Sequence, residues 1–494
     1  MFGTDIKSMR KIIVLVWLLP ILFFFCPGVA SVANALGIPI VFDLPAGIDP
    51  AKVFIQIVNT DQIIAGTYRD NAGTEHPLAI NTPYSMAGIT SPLPVGAGAP
   101  ANKPAVCISD VDSGRIFISF GEGLEGLKKG YEPDPGNATD PNYRVRYQFV
   151  EVTIKNSKLT GNLTYMDYVS IPISLHAVNA PTAKNNPLET TADGRTLVKA
   201  VAATGLTVNN NVLPSSGDIL PSANFARVIA PGKAKDKYHD WTNYLRTFLQ
   251  GKTVSLQGCF VGVGDQPTGN PLTQAQSYDF SVAFDAAGNA TLTARSGSGN
   301  GSSDCVPVVQ RGTGVGDVNQ TVTITFERLN SAVGIYGNNP AYTINRNGAV
   351  RTTAGIENDY FGRVVGDLLA GLSWGFPGSK VLFGSDKIGE LPSTKWWGNA
   401  KMPNGTYIPL ANTPVGQNIV FEKAQPGQTG HYHTYAAGLN GLTMAYGFGL
   451  QDRPGNNLLE FNTDTDQNSY LLITINPDHA KKGINSVYLL LLGN

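Results

Sequence analysis

A helix breaker stands at roughly every sixth position of this chain, since 55 glycines and 32 prolines are spread through 494 residues. Long helices cannot run through such a sequence, whereas short strands joined by turns can. The apolar share of 42% is that of an ordinary folded protein, so disorder is excluded. Charged residues make up only 15% and the net charge is -1, which gives no basic footprint for nucleic acid and no polybasic membrane patch. A neutral substrate fits this balance best.

The longest apolar run lies at the start. Lys7, Arg10 and Lys11 precede the apolar residues 12–25, Cys26-Pro-Gly breaks the run, and Ala33-Asn-Ala offers small residues for cleavage. That order is expected of a secretory signal peptide over residues 1–35, with Met9 as an alternative start and an uncleaved anchor as the alternative fate. The mature protein is then secreted, to the outside or to a periplasm, with no membrane segment left. Cys107, Cys259 and Cys305 remain. An odd number leaves one thiol over, and the expected pair in an oxidising compartment is Cys259 with Cys305, leaving Cys107 free and buried. Such a bridge closes a loop of about 46 residues, worth ~4 kcal/mol by chain entropy. No cysteine has a CxxC partner, so no structural zinc site is expected. Asn-x-Ser/Thr sequons occur at Asn137, Asn162, Asn289, Asn300, Asn319 and Asn404.

Residues 36–180 read as strands. The runs 38–44, 53–58 and 115–120 are β-branched or aromatic and are separated by Gly, Pro and Asn. From Tyr147 to Ile154 the pattern alternates, with Val150, Val152 and Ile154 on one face and Tyr147, Phe149, Glu151 and Thr153 on the other. Residues 156–162 read as a turn and 163–175 as the returning strand. Further on, Trp241, Tyr244, Leu245 and Phe248 have helical spacing, with Gly251 as a stop. A longer helix is expected around Phe361, Val364, Val365, Leu368, Leu369 and Leu372, with Asn358 as N-cap and Gly362 and Gly366 permitting close approach. Residues 296–304 form a Gly/Ser-rich loop, and strands return at 470–475 and 487–492. The chain is thus expected to be mainly β, a barrel or sandwich built from both ends (36–180 and 431–494) with a mixed α/β domain, 181–430, inserted between them.

Glu151 and Asp167 interrupt otherwise uncharged strand sequence. A carboxylate among apolar residues is either solvated in a cleft or paired, because burying it bare is costly. A turn centred on Lys158-Leu-Thr brings the two directly opposite each other, and a slip of one residue puts them on opposite faces. A carboxylate pair of this kind can flank a glycosidic bond, one carboxyl protonating the leaving oxygen and the other activating water or attacking carbon.

Val150-Glu-Val-Thr followed by Asn162-Leu-Thr-Tyr-Met-Asp-Tyr-Val-Ser-Ile-Pro-Ile resembles the core of glycoside hydrolase family 64. Ser113-Gly-Arg-Ile-Phe-Ile-Ser-Phe resembles that family's early strand, Val364-Val-Gly-Asp-Leu-Leu-Ala-Gly-Leu its interior helix, and Ala445-Tyr-Gly-Phe-Gly-Leu-Gln-Asp a late stretch in which Gln451 replaces a usual Asp and Asp452 is kept. The resemblance implies a secreted β-1,3-glucanase with a thaumatin-like barrel and a mixed α/β domain across a wide groove. It implies Glu151 as general acid and Asp167 as general base of an inverting hydrolysis, and laminaripentaose as a common product. Thr153, Thr164 and Tyr165 are candidate sugar contacts beside the pair, and Asp452 another. Trp396 and Trp397 are the candidate stacking platform, core packing being the alternative; Trp241 and Trp374 read as core. His431 and His433 share a face of an expected strand but lack a third ligand, so no metal and no cofactor are expected. The expected partner is a β-1,3-glucan, bound by a monomer. The competing readings are a non-catalytic thaumatin-like glucan-binding protein and a secreted structural or adhesive β protein.

Overall fold

Alternation of apolar and polar residues builds most of the structure. In the computed structural model the chain is described over residues 37–59, 64–89, 103–127, 132–213, 225–260, 275–295, 301–302, 319–357, 359–398, 409–423, 431–451 and 458–479. The expected leader 1–35, Cys305, Asp452 and the strand expected at 487–492 lie outside the described residues, as does the side chain of Cys259. The described part belongs to one unit, Gly37–Asn494, and is mainly β with few helices.

The strand Ala105–Phe120 organises the first sheet. Its first half pairs with Ile38–Asp43 and Ala65–Arg69, and its second half with Val53–Val58 and Arg146–Lys155. The change of partner coincides with a bulge. From Val111 to Gly114 the strand advances three residues while its neighbour advances two, from Ile154 to Val152. Ser113 takes φ +48° in the bulge, and a Cβ on Gly114 would lie 2.5 Å from Val111 Cγ2, so glycine is needed there. The extra residue resets the faces. Ile116 and Ile118 turn into the core while Arg115 turns out.

Beyond Arg146–Lys155 the sheet continues through Lys158–Leu163 to Leu459–Asn462, and at its other end Ile38–Asp43 continues through Tyr470–Ile475 to Ile173–Val178. Lys184 bridges to Glu460 across the remaining gap, so the sheet nearly closes into a barrel. Ile38–Asp43 and Tyr470–Ile475 run parallel. Val150, Val152, Ile154, Leu159 and Leu163 fill the interior. On the outer side Phe117, Tyr147, Phe149 and Tyr168 form a smaller cluster with Leu124 and Leu127, so the two faces of residues 147–154 are those the alternation implies.

The hairpin differs from the expected one. Asn156 and Ser157 both have positive φ, +50° and +62°, which is the two-residue turn that suits the twist of paired strands. Lys155 therefore pairs with Lys158, and the residue facing Glu151 is Asn162, not Asp167. Residues 158–163 are strand rather than turn, and Asp167 lies beyond the strand's end.

A second sheet takes up Thr253–Phe260, Ala275–Phe284, Ala290–Ala294, Gln320–Ile324, Thr343–Arg346 and Ala349–Thr352, antiparallel and in chain order. The helix Tyr360–Trp374 packs on it. Its cap is Asp359, whose Oδ1 accepts from Gly362 N at 2.8 Å, rather than Asn358. Residues 244–248 form a short π-helix, with Tyr244 and Leu245 buried and Gly251 at φ +71° just after it. His431 and His433 are in no strand. His431 is stacked on Tyr244, and His433 caps the helix Thr434–Leu439 through Nδ1.

Candidate active site

Glu151 leaves the outer face of its strand between two cross-strand neighbours, Arg115 and Asn162. Arg115 Nε donates to Oε1 at 3.2 Å and Asn162 Nδ2 to Oε2 at 3.2 Å. Arg115 also reaches Glu132 through Nη1, and its guanidinium lies 4.8 Å from the centroid of Phe149. One cation is thus shared by two carboxylates, which lessens its hold on each. The Glu151 side chain keeps 30% of its surface.

Asp167 is carried by the segment 164–170, between the end of Lys158–Leu163 and the start of Ile173–Val178. There Tyr168–Val169 pairs with Arg227–Ile229, and Ala230 N donates to the Asp167 carbonyl at 2.9 Å. This small sheet delivers Lys233, whose Nζ is 3.8 Å from Asp167 Oδ2. The Asp167 side chain keeps 45% of its surface, yet the surrounding protein desolvates it enough to raise its pKa. Lys233 and Arg115 pull in the opposite direction, and the negative charges of Asp134 and Glu151 add to the rise. Among these charges Glu151 contributes least, and the two carboxylates are not register partners.

The flanking candidates divide. Thr153 lies on the Glu151 face, half-buried, with Oγ1 accepting from Ser113 N at 3.1 Å. Thr164 and Tyr165 turn inward and are corrected here as sugar contacts. Thr164 is buried in a bridge to Tyr446. The Tyr165 hydroxyl accepts from Ile173 N at 3.0 Å and lies 3.3 Å from Thr190 Oγ1, and burial pushes its pKa up to about 12. Trp396 and Trp397 are corrected as well. They retain 0% and 2% of their surface, Trp396 Nε1 donates to the Ile388 carbonyl, and its ring lies so close to Gly371 that a Cβ there would be 2.5 Å from it. Neither ring has a face left for a sugar. Cys107 is a free, buried thiol donating to the Gly37 carbonyl at 2.9 Å, its pKa pushed up to about 12 by burial.

Arg115, Asn162, Lys233, Glu132 and Asp134 were not singled out from sequence as site residues. Arg115 and Asn162 become visible once the bulge and the hairpin register are known. Lys233 carries no local signal, because only the small sheet brings it to Asp167. The late stretch around Tyr446 does reach the site's support. Tyr165 N donates to the Tyr446 carbonyl and Tyr446 N to the Leu163 carbonyl, and Gln451 Oε1 accepts from Gly447 N at 2.7 Å.

Residues 43–251 match the family described as Beta-1,3-glucanase, glycoside hydrolase family 64. No curated protein matches the chain. Among solved structures, a laminaripentaose-producing β-1,3-glucanase in complex with laminaritetraose is similar with a TM-score of 0.50 and 14% identity, over 90% of this chain and 99% of that one. A β-1,3-glucanase domain of the same family from Clostridium beijerinckii gives a TM-score of 0.46 and 12% identity, over 89% and 97%. At 14% identity the first of these likenesses is one of fold. Glu151, Asp167, Arg115 and Lys233 all lie within residues 43–251, the part of the chain that the model of this β-1,3-glucanase family matches.

Proposed function

We propose that the protein hydrolyses β-1,3-glucan at the Glu151–Asp167 pair with inversion at the anomeric carbon. The observation that carries this reading is that both carboxylates lie in the segment, residues 43–251, that matches the β-1,3-glucanase family. Glu151 supplies a proton to the glycosidic oxygen. Asp167 takes a proton from a water, the water oxygen attacks the anomeric carbon from the opposite face, and the glycosidic C–O bond breaks. Inversion calls for a gap of about 6.5–9.5 Å between the carboxyls, room for that water. Lys233 and Arg115 favour the ionised Asp167 that a base must be, while Arg115 and Asn162 orient Glu151. Thr153 and Asp452 remain candidate sugar contacts. We further propose that the barrel is thaumatin-like, that it faces the second sheet's domain across a glucan-binding groove, and that the protein acts as a secreted monomer, the last two on the neutral balance and the leader-like residues 1–35.

The test is digestion of laminarin, with the anomer of the first products followed by NMR. Wild type is expected to release α-anomers. E151Q and D167N are each expected to lose activity by about 10²–10⁴-fold, the usual worth of general acid–base catalysis, with laminarin binding retained. A β-anomer as first product overturns inversion. Both variants within about threefold of wild type, below even the weak end of that range, overturn the pair. A wild type that binds laminarin without cleaving it supports the non-catalytic alternative.

A further inference from the structure

Asp167 sits on a segment that has left the β ladder, so its backbone groups must find partners elsewhere. Two of them find the same one. Gln148 Nε2 donates to the Thr164 carbonyl at 3.2 Å, and Gln148 Oε1 accepts from Ser170 N at 3.0 Å. A single carboxamide therefore holds both ends of the segment 164–170. Gln148 retains 0% of its surface and belongs to Arg146–Lys155, the strand that carries Glu151. That strand is paired on both sides, with Ala105–Phe120 and Lys158–Leu163. Gln148 and Glu151 stand three residues apart on it, roughly 10 Å along the strand.

We infer that Gln148 is the positioning residue that sets where Asp167 stands relative to Glu151. The chemistry of the side chain fits the task. A carboxamide offers a donor and an acceptor at one terminus, glutamate at neutral pH only acceptors, and methionine, of similar length, neither in strength. Other contacts hold single points of the segment. Tyr435 Oη donates to the Tyr165 carbonyl, Ala230 N to the Asp167 carbonyl, and Arg146 Nη2 to the Ser170 carbonyl. Among the described residues Gln148 is the side chain that grips both ends, and it does so from the strand of the other carboxylate. It points into the barrel while Glu151 points out, so it touches no sugar bound at Glu151. Its influence on the reaction passes through Asp167, and so belongs to the chemical step rather than to binding.

This inference rests on Glu151 and Asp167 being the reacting pair, and the experiment separates the two. Laminarin kinetics and thermal melting are measured for wild type, Q148M, Q148E, D167N and E151Q, with and without sodium azide. Azide attacks the anomeric carbon as the glycosidic C–O bond breaks and Glu151 protonates the leaving oxygen, so no base is required and an α-glycosyl azide forms. A displacement of about 1 Å can cost about 10²-fold, so Q148M is expected to lose kcat on that scale with KM within twofold, and to regain turnover in azide as D167N does. Q148E, which keeps the acceptor for Ser170 N and loses the donor, is expected to fall between Q148M and wild type, and it carries the test if Q148M does not fold. E151Q is expected to gain nothing from azide. If azide rescues D167N while a folded Gln148 variant keeps kcat within threefold or is not rescued, the positioning role is overturned. Failure of both variants to fold overturns it too, making the bonds a matter of the fold alone. If azide does not rescue D167N, the reacting pair itself fails, and this inference with it.

Discussion

Lys233 and Asp167 show how much of a site one distant charge can set. The ammonium 3.8 Å away opposes the upward pull that burial exerts on the carboxyl. In K233M that opposition goes, while burial and the charges of Asp134 and Glu151 stay, so the Asp167 pKa rises further. A base works only when ionised, so activity is lost as pH falls through its pKa. The acidic limb of laminarin kcat/KM is therefore expected to move to higher pH in K233M, and an unmoved limb in a pH–rate profile would refute the arrangement. The two carboxylates stand out in the sequence because each interrupts an uncharged stretch. Their partners do not. Arg115 needs the extra residue at Ser113-Gly114 to face Glu151, and Lys233 needs the pairing of Tyr168–Val169 with Arg227–Ile229. Thr164 and Tyr165 looked like site residues by adjacency, but the alternation ends at Leu163, and past that point closeness in sequence says nothing about which way a side chain turns.

At the scale of elements, helical spacing identified Tyr360–Trp374 because its apolar residues repeat over several turns, and the structure buries nearly all of them. Its start was less legible, since Asn358 and Asp359 are both good caps and only geometry chooses. The same start yields a sharp expectation. Alanine normally stabilises a helix by about 0.5–1 kcal/mol over glycine. At Gly362 a Cβ would lie 1.8 Å from the Glu357 carbonyl oxygen, a backbone contact that cannot be relieved by a side-chain turn. G362A is therefore expected to lose more than about 2 kcal/mol, the range of forced overpacking, by chemical denaturation; equal or greater stability would contradict the close approach. The hairpin shows the opposite balance. The alternation of 147–154 is plain, but the turn is shorter and earlier than the sequence suggests, because Asn156-Ser157 merges into a longer polar stretch. Trp396 and Trp397 carry a similar lesson: two adjacent indoles have the same sequence signature whether they meet a sugar or, as here, the helix Tyr360–Trp374 and its surroundings.

Across the whole molecule, the barrel is held by contacts between residues far apart in the chain, which no local pattern announces. Arg146 binds both carboxylate oxygens of Asp478, at 2.5 and 2.7 Å, with both side chains buried, and stacks over Phe225. R146M would leave Asp478 buried without its cation, a change that typically costs 3–5 kcal/mol. The expected result is a matching fall in stability by denaturant titration, and a loss below about 1 kcal/mol, typical of an exposed pair, would show the pair to be dispensable. The sheet has the same long reach. Ile38–Asp43 is flanked by Ala105–Phe120 on one side and by Tyr470–Ile475 on the other. On a ribosome this means that the first strand waits for a neighbour made about 430 residues later, roughly 20–90 s at 5–20 residues per second. Until then its second edge stays open to any other strand. The nascent chain must therefore extend past Ile475 before the seam can close, and a chain stalled short of Tyr470 carries an unpaired strand edge into a crowded cell.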